Sequence, residues 1–201
     1  CVQRRLNSRP YSEEKFNIID HFLWLCKLGK TTNSVQKQLL LGKANHSAAY
    51  RQLISQGIIY EYVIPNGHLA YSTYVKFNQS IIFEYILFEK WTSNKQLNAN
   101  LFFKIKKYYQ KNVPLQCSIL KFFVRYLVLE KRFEVIKQLH NRLESNLNDA
   151  SKERIPPCLK SVSMVVREAV KSDENCRKNL LPWISRSKIG KELYGSENIV
   201  D

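Results

Sequence analysis

Glycine and proline are scarce, six of each in 201 residues. That excludes low-complexity linkers and long irregular stretches. None of the five cysteines (Cys1, Cys26, Cys117, Cys158, Cys176) stands in a C-x-x-C pair. Neither a zinc site nor a disulfide framework is therefore signalled. Cys26 and Cys117 fall inside apolar helical patterns, where cysteine behaves as a small hydrophobe, and the scatter fits a reducing, cytoplasmic setting. No apolar run approaches the about 18 residues of a membrane span, so none is expected. Methionine occurs once, at Met164, and the chain opens on Cys1 with a polar, basic stretch. The sequence reads as an internal piece of a longer protein; a mature lipoprotein, which also begins with Cys, is the alternative.

Arrangements that carry catalysis are also missing. "LGKTT" (Leu28 to Thr32) has the tail of a phosphate-binding loop, but Trp24 stands where the first glycine must be and no strand precedes it. A helix end at Gly29 and Lys30 accounts for those residues. His21, His46, His68 and His140 form no H-x-x-x-H or H-E-x-x-H pair, and no G-x-S-x-G elbow occurs. No catalytic residue, no metal ligand and no enzyme activity is expected of this chain.

What the chain does have is hydrophobic content of 44%, aromatic content of 12% and a formal charge of +15. The first two suffice for a real core. The third invites a nucleic-acid reading, but its distribution matters more. Residues 1–93 carry 11 basic and 6 acidic residues, residues 94–145 carry 11 and 3, and residues 146–201 carry 10 and 8. The excess lies in the middle. Enrichment in Lys, Asn, Ile and Tyr together is also what AT-rich coding sequence produces.

Hydrophobic spacing predicts a mainly α protein. Ser12 with Glu13 and Glu14 opens a helix that stops at Gly29. A second helix is expected over Asn33 to Leu41, and a third from an Asn45 cap to Gly57. "IIYEYVI" (from Ile58) and "LAYSTYVKF" (Leu69 to Phe77) read as strands around a Pro-Asn-Gly turn. Three helices and a hairpin over residues 12–78 match a winged helix, with residues 1–11 as a tail or the truncated end of a preceding domain. From "SIIFEYILFEKW" onward the pattern is helical throughout. Residues 79–147 read as a helical array without a clean repeat period. After a polar break at Asn148 to Pro157, residues 148–201 add helices near Leu159–Lys171, Cys176–Ser185 and Lys188–Tyr194 that continue it.

A DNA-reading winged helix needs cations on its third helix and wing. Here the third helix offers Arg51 and Gln52 as base readers, Lys43 is available for phosphate, and the wing "PNGH" has no Lys or Arg. Downstream, "KIKKYYQK" sets Lys104, Lys107 and Lys111 on one helical face beside Tyr108 and Tyr109, a combination that can hold single strands. A solvated lysine face of an amphipathic helix explains the same residues. The hairpin, by contrast, carries aromatic and β-branched residues on both faces, with Glu61 and Lys76 its only charges. One face must cover the helices, and the other is expected to leave Tyr60, Tyr62 and Tyr71 or their neighbours exposed for a protein contact.

"YVKFNQSIIFEYILFEKW" resembles the element behind the ATPase core in signal-transduction ATPases of the NACHT/STAND type. In that family the last winged-helix strand passes into a helix through a hydrophobic-His-Asp or Phe-x-His motif. Phe77 matches the hydrophobic position, Asn78 falls where the histidine often sits, Gln79 stands at the acidic position, and Ile82, Tyr85 and Ile86 match the helix. "ILKFFVRYLVLEKRFEVI" looks like the arrays of bacterial members, so the resemblance covers residues 12–147. It implies a regulatory, interacting region of a P-loop ATPase whose winged helix docks on a nucleotide domain absent from this chain. It also implies protein partners (that domain and oligomer neighbours), ATP or ADP bound only in the full-length parent, and Asn78 at the nucleotide-sensing position. An amide there hydrogen-bonds but carries no charge. The alternative is a winged-helix transcriptional regulator that binds nucleic acid.

Overall fold

The computed structural model describes residues 2–30, 32–42, 47–67, 70–148 and 157–186. Lys43, Asn45, His46, His68, Leu69 and the helix expected at Lys188–Tyr194 lie outside the described residues. The chain divides into two compact units, residues 1–87 and 88–201. It is mainly helical, with one small antiparallel sheet.

The first unit runs α1 (Val2–Leu6), α2 (Ser12–Leu25), β1 (Ser34–Gln36), α3 (Lys37–Leu41), α4 (Ser47–Ser55), β2 (Ile59–Pro65) and β3 (Tyr71–Phe77). It then enters α5 (Ser80–Thr92), inside which the division between units falls. The strands lie in the order β1-β3-β2. Ile18, Phe22 and Leu53 from the helices meet Val35, Ile59, Val75 and Phe77 from the sheet, all buried. Phe22 is central, with its ring edge-on to Phe77 at 4.9 Å and to Phe83 at 6.2 Å.

Two expectations change here. The helix expected over Asn33 to Leu41 begins instead as strand β1, with Val35 opposite Val75, and only Lys37–Leu41 are helical. Val35 is buried on the sheet, and pairing satisfies backbone groups that β3 would otherwise leave open along that edge. A helix this short is too weak to hold the segment against that gain. The expected N-terminal tail is also structured, because α1 belongs to the first unit. Its anchor is Lys15, fully buried on α2. The Lys15 ammonium donates to Arg5 O, Ser8 O and Ser8 Oγ, each at 2.9 Å. Gln56 Nε2 donates to the same Ser8 hydroxyl at 2.9 Å, and Arg5 Nη1 donates to Gln56 O at 2.8 Å.

The second unit holds α6 (Ala99–Tyr108), α7 (Val113–Leu129), α8 (Phe133–Asn148), α9 (Pro157–Ser172) and α10 (Glu174–Ile184). Asn98, Asn112 and Asp173 cap three of these, each accepting from the amide three residues on. The central helix is α7, whose Ile119, Leu120, Phe123, Val124 and Leu127 are completely buried. It packs on α6, α8 and α9, and α10 packs on α8 and α9.

Candidate functional site

Register across the hairpin sorts its side chains. Tyr60 lies opposite Lys76, Tyr62 opposite Tyr74, and Ile64 opposite Ser72. The alternate set, Ile59 with Phe77 and Glu61 with Val75, faces the helices. The outward face is thus a tyrosine ladder. Tyr60 and Tyr62 have ring centroids 6.0 Å apart, and Tyr62 stacks on Tyr74 at 5.8 Å with planes 27° apart. Gln36 of β1 donates from Nε2 to the Tyr74 hydroxyl at 3.2 Å, extending the face to the neighbouring strand. Ile64 is 43% exposed at the far end, and Lys76 is the one cation on this face of the hairpin.

Tyr71 does not belong to the ladder. It pairs with Pro65, on the side of Glu61 and Val63, and is exposed (72%) because the hairpin overhangs the core there. Tyr74 takes its place, as register requires: the positions of every facing pair sum to an even number, so only even-numbered residues meet Tyr60 and Tyr62.

On the inner side Glu61 is tied down. Lys37 Nζ lies 2.8 Å from its carboxylate, the Tyr50 hydroxyl donates to the same oxygen at 2.7 Å, and the Lys37 ammonium sits 5.4 Å above the Tyr50 ring. Burial alone would raise the Glu61 pKa. The hydrogen bonds from Lys37 and Tyr50, with the Lys37 charge, outweigh it and hold the carboxyl below 4.5. Burial, reinforced by the Glu61 bond and charge, pushes the Tyr50 phenol well above its usual value. This network crosses from α3 and α4 to β2, and the hairpin's only acid is spent inside it. The sequence marked Glu61 merely as a charge. The hint it offered was a tyrosine on the buried stripe of α4, Ala49-Tyr50-Leu53, since a buried hydroxyl needs a partner.

The remaining expected site residues fall as follows. Arg51 is exposed on α4, with Nε bonded to Ser47 O at 3.3 Å. Gln52 is half-buried and its Oε1 makes no hydrogen bond among the described residues, so the pair does not point outward together. Lys104 and Lys107 are exposed on α6. That helix ends at Tyr108, so Lys111 sits in the turn beyond rather than on the same helical face. The chain has to leave the helix there because Asn112 caps α7 and Pro114 occupies its first turn. Tyr109 is a core residue, its hydroxyl accepting from Trp91 Nε1 at 3.1 Å, and Tyr108 lies edge-on to Trp91 at 5.1 Å. Asn78 stands at the β3–α5 junction, with its N–H on Ile58 O at 3.0 Å and its amide exposed. Its Nδ2 lies 3.7 Å from where a Cβ on Gly57 would stand.

Residues 26–30 close the end of α2. Leu28 N donates to Leu23 O at 2.7 Å and Gly29 N to Cys26 Sγ at 3.3 Å, with Lys27, Leu28 and Gly29 all at positive φ. Those two amides are used up inside the protein. Burial raises the thiols of Cys26 and Cys158, and burial with the nearby Asp173 pushes Cys176 to about 11. None of these three is poised as a thiolate. No group of three or more His, Cys, Asp and Glu able to hold a metal occurs among the described residues. No family model, curated protein or solved structure matches the chain.

Proposed function

We propose that the first unit is a winged helix used to dock protein rather than to read DNA, within a non-catalytic regulatory chain. Helix, strand, helix, helix and hairpin, with the strands ordered β1-β3-β2, support the winged-helix reading. The observation that carries the docking role is the tyrosine ladder. Tyr60, Tyr62 and Tyr74 form a stiff, amphipathic surface of the kind that suits protein contacts. Phosphate contacts need Lys and Arg, and this face of the hairpin offers Lys76 alone. The resemblance to the region behind a STAND-type ATPase core supplies the partner: a nucleotide-binding domain, with Asn78 at the end of β3 nearest the nucleotide.

A transcriptional regulator would behave otherwise, and α4 is where the two part. Selection from a random duplex pool at physiological salt is expected to return no preferred sequence. Arg51→Ala is expected to leave any residual binding within about twofold. Enrichment of one site, bound at least about tenfold more weakly by Arg51→Ala, would make α4 a base reader and end the docking proposal.

A further inference from the structure

Between Glu89 and Glu130 the chain holds no acidic residue, yet it carries seven lysines and Arg125 in those 40 positions. AT-rich composition accounts for the lysines and asparagines, but not for so long a gap in acids. The helix dipole favours Lys106 and Lys107 in the last turn of α6, but it says nothing of Lys104 or Lys111. An ordinary solvated face mixes signs, because opposite charges at i,i+3 and i,i+4 stabilise a helix and like charges there destabilise it. Lys104 and Lys107 are such a like pair, and neither they nor Lys111 has an ion-pair partner among the described residues.

The neighbouring helix adds an ordered guanidinium. Arg142 of α8 donates from Nη1 to Asn100 Oδ1 of α6 at 3.0 Å and lies over the Phe103 ring at 4.9 Å. Lys106 approaches the same ring at 5.8 Å. Arg142 Nε and Nη2 have no acceptor among the described residues, and the side chain is exposed. Glu134, in the first turn of α8, is held by Lys137 at 2.8 Å. A guanidinium fixed in place with donors to spare, beside a run of unpaired ammonium groups, matches a chain of phosphates.

We infer that the α6–α8 face of the second unit binds the phosphodiester backbone of nucleic acid, without reading its bases. Lys104, Lys107, Lys111 and Arg142 make the contacts, and Phe103 with Asn100 holds Arg142 ready. Tyr109 takes no part, being buried. The contact is independent of α4 and of the hairpin's role.

The test is fluorescence anisotropy of the whole chain with a labelled oligothymidylate of about 30 nucleotides, and with a duplex of equal length, across about 50–200 mM salt. Lys104→Gln/Lys107→Gln/Lys111→Gln is expected to weaken binding at least about tenfold. The log–log salt slope should shrink by about 2 with the single strand, or nearly 3 with the duplex. Whichever form shows the loss identifies the natural ligand. The control Lys160→Gln/Lys171→Gln/Arg186→Gln removes the same charge from exposed sites elsewhere on the second unit and should weaken binding less than threefold, roughly, and flatten the slope far less. No binding at about 50 mM salt, or equal loss in both triple variants, overturns the inference. So does displacement by polyglutamate as effective as by unlabelled DNA, which would assign the surface to an acidic protein.

Discussion

Replacing Phe22 by alanine is expected to destabilise the first unit by about 3–5 kcal/mol, the usual cost of removing a buried aromatic ring. Phe22 is almost wholly buried and sits between the sheet and α5, edge-on to Phe77 and Phe83. Those two rings are themselves 5.2 Å apart, so the three form one cluster. Alanine would leave a void under β3 that neither partner can fill without moving its own strand or helix. In thermal unfolding the first transition should fall by about 15 °C or more. Leucine at the same position should recover a large part of the loss, because it refills volume while giving up the edge-on ring contacts. A midpoint for Phe22→Ala within about 3 °C of the parent chain would show that the sheet is held by something other than this cluster.

A second large effect is expected at Lys15. Burying an ammonium is tolerable only because three oxygens surround it, and it is those oxygens that tie the end of α1 to α2. Burial also lowers the Lys15 pKa from its usual 10.5, so the charge is held at a cost. Lys15→Met preserves most of the volume and removes that cost. It also strands the Ser8 carbonyl and takes the charged donor from that of Arg5, which keeps the Ser8 hydroxyl at 2.7 Å, and bonds to a charged donor contribute about 1.5–3 kcal/mol each in net terms. A loss of about 2–3 kcal/mol should remain, concentrated in residues 2–8. Their amides should exchange much faster in Lys15→Met, while those of α7 keep their protection. Unchanged exchange in α1 would mean that the bonds from Arg5 and Gln56 hold the segment unaided.

How legible these features were in the sequence differs by kind. The periodic helices, α2 and α6 to α10, could be read because each buries one stripe, and the hairpin could be read because Pro-Asn-Gly separates two β-rich runs. Strand β1 could not. Three residues, Ser34 to Gln36, carry no period, and only the open edge of β3 makes them a strand. Residues 2–8 looked like a polar tail because the side chain that holds them, Lys15, is one that sequence reasoning assigns to solvent. The exposed face of the hairpin is legible in composition but not in membership: composition puts Tyr71 with Tyr60 and Tyr62, and only the register separates them. The α6 lysines were visible as a cluster, whereas Arg142 and Asn100, 42 positions apart, become neighbours only in the fold.

The central claim is that the tyrosine ladder is covered by protein, and hydrogen exchange tests it most directly. The amides of β2 and β3, with that of Asn78, would be followed in this chain alone and again with the proposed partner, a STAND-type nucleotide-binding domain, added in excess, with and without ADP. The docking account expects slower exchange along residues 59–65 and 71–78 when the domain is present, strongest when nucleotide is bound, and no change in α9 or α10. Identical exchange of the hairpin with and without the domain, whatever the nucleotide, would contradict it.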